Sequence, residues 1–101
     1  MDAESAVRYC YEWSFAVEAS LRLGCQAAAE SLQKKRPCKS DMRKGTSGIE
    51  AGRLEARTLI QAQDTLSARQ DALNDQLLTV WALCHDHGYE TIASVIDDLL
   101  P

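Results

Sequence analysis

The sequence predicts an all-α protein, on three observations. Helix formers dominate: Ala, Leu, Gln, Glu and Arg are plentiful, against two Pro and five Gly in 101 residues. No run of Val, Ile and Thr has strand character. Apolar residues recur at steps of three and four over most of the chain, the period of one helix face. Apolar residues make up 46% and charged residues 26%, which suits a globular chain better than a disordered one. A chain of this length has room for a single domain, residues 1–101. The expected architecture is a long antiparallel helical hairpin with a short C-terminal helix, dimerising into a helical bundle.

The first element is a helix over residues 3–33. Its face is Ala6, Cys10, Trp13, Val17, Leu21, Cys25, Ala28 and Leu32. Asp2 is placed to cap its start, and Glu4 suits the positive end of the helix dipole. Lys34 and Lys35 suit the negative end, and Pro37 forbids continuation because it lacks an N–H and restricts Arg36. Gly24 weakens the middle by about 1 kcal/mol relative to Ala and leaves room for another helix to come close.

A connector over residues 36–48 follows, RPCKSDMRKGTSG, with no apolar period. It exceeds the usual helix–helix link of about 2–8 residues. Ser47 with Glu50 three residues on reads as a capping box for the next helix.

The third element is a helix over residues 49–86. Leu59, Leu66, Leu73 and Val80 recur at heptad spacing, with Leu77 and Cys84 on the same side. Gln63 and Gln70 occupy the companion column, which makes a coiled-coil-like bundle helix with a partly polar seam. His87-Gly88 stops it, Gly88 taking the left-handed cap. The short helix over residues 90–100 carries Ile92, Val95, Ile96 and Leu99 on one face.

In an antiparallel hairpin turning near Asp41, Cys10 lies opposite Ala72 and Cys25 opposite Arg57. The two main helices would be roughly 45–55 Å long. The aromatic windows, Tyr9 to Phe15 and Trp81 to Tyr89, would meet at one tip, and the basic segment would form the other. Two stripes do not consume all the apolar residues, so a homodimer is expected. Core or dimer contacts are assigned to Trp13, Val17, Leu21, Leu59, Leu66, Leu73, Leu77, Val80 and Trp81. Tyr9 pairs with Trp13 on one helix face and Tyr11 with Phe15 on another, and a simple hairpin cannot bury both.

Charge is unevenly distributed. The net charge is −4, yet residues 34–44 carry Lys34, Lys35, Arg36, Lys39, Arg43 and Lys44 against Asp41 alone. An acidic chain with one basic knob is no general nucleic-acid binder. No apolar segment is long enough to span a bilayer and no secretion signal is visible, so a cytoplasmic protein off the membrane is expected. Cys10, Cys25, Cys38 and Cys84 form no CxxC and are read as free thiols.

No catalytic residue is expected: glycine-rich phosphate loops, HExxH and GxSxG are all missing. Cys84, His85, Asp86 and His87 are metal-ligand types, but neighbours on a helix diverge, so neither a metal nor another cofactor is expected. What remains is a non-catalytic protein-binding regulator, an inhibitor or adaptor of the kind encoded by phages and mobile elements. It would use residues 34–44 against a protein partner. The alternative is a nucleic-acid-associated regulator whose basic segment touches phosphates.

Overall fold

Two glycines decide the path of the chain. Gly24 and Gly88 have φ of 78° and 77°, the left-handed conformation that only glycine adopts without strain. Each closes a helix in the same way. Gly24 N–H donates to Leu21 O and Cys25 N–H to Ser20 O; Gly88 N–H donates to His85 O and Tyr89 N–H to Cys84 O. Both are Schellman endings, which return the last carbonyls of a helix to partners and turn the chain away.

A computed structural model describes residues 3–61 and 72–100. They form six helices: α1 Ala3–Arg22, α2 Gln26–Gln33, α3 Lys39–Lys44, α4 Thr46–Gln61, α5 Leu73–Asp86 and α6 Glu90–Leu99. No strand occurs among the described residues. The all-α class holds, as do the stops at Pro37 and Gly88 and the final helix.

The long helices do not. The helix over residues 3–33 is two, because Gly24 turns the chain instead of admitting a neighbour. The connector 36–48 contains α3 and the start of α4. The Ser47 capping box does not form. Helix α4 starts at Thr46, its first carbonyl acceptor is Gly45, and the Thr46 hydroxyl donates back to Met42 O and Arg43 O. The helix over residues 49–86 is also interrupted: Ala72 is extended, at φ −62° and ψ 152°, directly before α5. The polar-seam residues Gln63 and Gln70, and Leu66, lie outside the described residues.

The register differs as well. Helices α1 and α4 make the largest helix–helix contact and run parallel. Gly48 lies against Val7 and Tyr11, Gly52 against Tyr11 and Phe15, and Arg57 Nε reaches Glu18 Oε1 at 3.1 Å. Both sequences therefore ascend together, with α2 and α3 as the return path. Cys10 meets Gly45 and the Asp41 carbonyl, not Ala72. The molecule measures 38 × 31 × 22 Å, too short for the expected hairpin.

The core is Phe15, Leu32, Leu77, Val80, Cys84, Ile92 and Ile96, with Ala16, Ala19, Ala28 and Ala56 admitting close helix approach. Trp13, Val17, Leu77 and Val80 are buried as expected, and Trp81 is half-buried against the core. Leu59 is half-buried. Leu21 and Leu73 are not core: they are 46% and 41% exposed. Each stands at the end of its helix's buried stripe, Leu21 in the last turn of α1 and Leu73 at the first residue of α5.

Candidate functional site

The basic segment is folded into the body of the protein. Trp13 Nε1 donates to Leu32 O at 2.8 Å and Tyr9 OH to Lys35 O at 2.5 Å, holding the C-terminal end of α2 against α1. At its other end Gln76 Oε1, from α5, accepts from Ala28 N–H at 3.1 Å. That carbonyl serves the first turn of α2, whose N-cap Cys25 makes no side-chain cap. Pro37 and Gly45 are buried, and Cys10 Sγ lies 3.5 Å from Asp41 O. The basic segment is thus fixed beside Tyr9 and Cys10. It is not a separate tip, and it resolves the problem of two aromatic faces. Tyr9 and Trp13 serve α2, while Tyr11 and Phe15 stack edge-on against Tyr89 at 5.8 and 5.0 Å.

Lys34, Lys35, Arg36, Lys39, Arg43 and Lys44 are all exposed on this scaffold. None pairs with a carboxylate among the described residues. Lys34 and Lys35 at the end of α2, and Arg43 and Lys44 at the end of α3, are where a helix dipole favours cations. Lys39 opens α3 and Arg36 precedes it, where the dipole favours the opposite sign.

A cleft of about 790 Å³ lies on the other side of α1. The helical step of about 100° per residue puts Glu4, Arg8, Tyr11 and Glu12 opposite Tyr9, Cys10 and Trp13. Its far wall is the α5–α6 turn, Gly88 to Thr91. Tyr89 anchors that wall: its hydroxyl donates to both carboxylate oxygens of Glu55 on α4, at 2.6 and 2.7 Å. Burial, with the Glu55 charge beside it, pushes the Tyr89 phenol well above its ordinary range.

Glu12 is the residue that sequence reasoning missed. It is 4% exposed, and its carboxylate faces the first turn of α6, whose N-cap Tyr89 also makes no side-chain cap. Burial pushes the carboxyl above its ordinary value; the N–H groups of Thr91 and Ile92, the Thr91 hydroxyl and the Arg8 charge oppose that. Among the described residues Oε1 has no hydrogen-bond partner. The sequence signal was an acid three and four residues before the apolar Phe15 and Ala16, its neighbours on the helix surface.

The Cys84 to His87 run diverges. Cys84 is in the core with its thiol pushed up to about 12, chiefly by burial. His85 stacks on Trp81 at 4.8 Å and sits 3.4 Å from Glu90, while His87 packs against Phe15. Among the described residues no three metal-ligating side chains cluster. All four cysteines are free thiols. No helix of the described residues is long and apolar enough to cross a membrane.

No family model matches the chain, and neither a curated protein nor a solved structure matches it.

Proposed function

We propose that the protein is a non-catalytic binding regulator, an inhibitor or adaptor that docks an anionic protein surface through Lys34, Lys35, Arg36, Lys39, Arg43 and Lys44. The observation that carries this reading is Lys39 with Arg36: exposed cations, without a carboxylate partner among the described residues, at the positive end of α3, where the helix dipole disfavours them. A rigid ledge presents its charges with little ordering cost on binding, unlike a free loop. An acidic protein surface is preferred to nucleic acid because the chain as a whole carries −4. Homodimer formation belongs to the same proposal, supported by the exposed Leu21, Leu54, Leu73 and Leu78.

The test compares wild type with Arg36→Gln/Lys39→Gln in affinity capture from the source cell, with mass spectrometry and a salt series. The expected result is a specific partner, released by salt, that the double variant loses while its unfolding midpoint stays at or above the wild-type value. Equal capture by both proteins refutes the ledge. A salt-dependent shift of DNA or RNA, lost in the double variant, with no protein captured, replaces this reading with the nucleic-acid one.

A further inference from the structure

Two helices of this protein begin straight after a Schellman turn without a local cap, and each borrows one from a distant helix. At α2 the lender is Gln76, a neutral amide whose carbonyl meets Ala28 N–H. At α6 it is Glu12, a carboxylate that keeps one oxygen unpartnered. Capping does not require the charge, as Gln76 demonstrates, and a buried charge with a vacant lone pair is costly. Among the described residues nothing uses Oε1. Arg8, the basic residue lining the cleft, makes no ion pair with it.

The surroundings specify a ligand. Glu4 and Glu90 stand exposed at the mouth, and Tyr11 and Tyr89 supply aromatic walls. Acids with aromatic faces select a cation. Among the described residues no three metal-ligating side chains come together at Glu12, which disfavours a divalent ion. A guanidinium fork takes two oxygens, and one here is turned to α6. We infer that the cleft is a binding site for a primary ammonium group, received by Glu12 Oε1 beside the Tyr11 and Tyr89 rings. Glu12, Arg8 and Thr91 all line the cleft, Oε1 is covered, and binding therefore requires the exposed Arg8 and Thr91 side chains to move aside. An ammonium there also restores to the Glu12 charge the stabilisation that burial removes.

Such an ammonium comes from a lysine side chain of a polypeptide or from a free alkylamine. Titration calorimetry on the full chain separates the two with n-butylammonium and an acetylated, amidated lysine pentapeptide. Its arginine and acetyl-lysine counterparts serve as controls. Saturable binding of butylammonium alone identifies a free amine, and of the peptide alone or of both, a lysine side chain. In each supporting case the arginine and acetyl-lysine peptides bind about tenfold weaker or worse, as does Glu12→Gln, which loses a charge-assisted bond. Nuclear Overhauser contacts from the amine methylenes to the Tyr11 and Tyr89 rings, read on wild type, keep the test valid if that variant fails to fold. Absence of saturable binding, binding with no contact to those rings, or equal binding by a folded Glu12→Gln overturns the site. None of these outcomes depends on the basic ledge.

Discussion

The parallel α1–α4 contact has a sharp test at Gly52. A Cβ built there falls inside the contact distance of the Tyr11 carbonyl oxygen and lies 3.1 Å from Phe15 N. Both are backbone atoms of α1, so neither rotates away. Intrinsic propensity pulls in the other direction: Ala in place of Gly in a helix interior is worth about 1 kcal/mol. Overpacking a close helix contact costs about 1–3 kcal/mol, more where backbone must move. For Gly52→Ala the clash outweighs propensity, and a net loss of about 2 kcal/mol follows, roughly 10 °C in Tm for a chain of this size. The exposed neighbour Ala51 calibrates the measurement, since Ala51→Gly removes propensity alone and lowers stability by about 1 kcal/mol. Gly48→Ala, whose Cβ would stand 2.8 Å from Val7 O, falls the same way as Gly52→Ala but less steeply. Urea unfolding followed by circular dichroism gives the three midpoints at constant slope. A Gly52→Ala protein more stable than wild type would mean that α4 does not lie on α1 in this register, and the parallel arrangement would be refuted.

Three further outcomes are expected. Trp13→Phe removes one of two donors to the Leu32 carbonyl, which keeps the Lys35 N–H at 3.0 Å, and also shrinks a buried ring, so it costs about 1–3 kcal/mol, whereas Tyr9→Phe loses only a more exposed bond and costs about 0.5–1.5; equal losses would contradict the assigned geometry. Glu12 makes stability depend on pH, because its folded pKa lies above the ordinary 4.5. Its contribution is complete below 4.5 and is lost as pH rises through the raised folded value, so wild type weakens relative to Glu12→Gln from pH 4.5 towards neutrality. Parallel pH profiles of the two urea midpoints would remove that linkage. Light scattering at rising concentration is expected to give twice the 11.2 kDa chain mass, and Leu54→Glu, at a 62% exposed position, to halve it; a monomer throughout ends the dimer proposal.

Helix content and several helix ends were legible because their causes are local. Pro37 cannot continue a helix, Gly88 favours the left-handed cap, and Ile92, Val95, Ile96 and Leu99 mark a face within a single short window. Gly24 has the same role as Gly88 and was concealed by its neighbours. The stripe Leu21, Cys25, Ala28 keeps its three-and-four spacing straight across the turn, so periodicity reports one helix where there are two. Ala72 gives no signal at all: a good helix former is extended there as the N-cap of α5, a position where Ser, Thr, Asp or Asn would have announced the helix start.

The same division between local and distant causes explains why the cleft escaped sequence reading while the ledge did not. Lys34 to Lys44 announce themselves by charge density in one window. Glu12 is a single acid whose meaning depends on residues about 80 positions away in the chain, Thr91 and Ile92, whose N–H groups need an acceptor. Local rules look for a capping side chain at Cys25 and Tyr89 and find none, because the acceptors come from α5 and α1. These borrowed caps tie the ends of short helices to the body, and they make α2 and α6 dependent on tertiary structure for their existence. It follows that Gln76 and Glu12, buried polar residues that face distant helix starts, specify the topology more narrowly than the leucines do. Leucines tolerate exchange for other apolar residues of similar volume, whereas each of these acceptors fits one helix start.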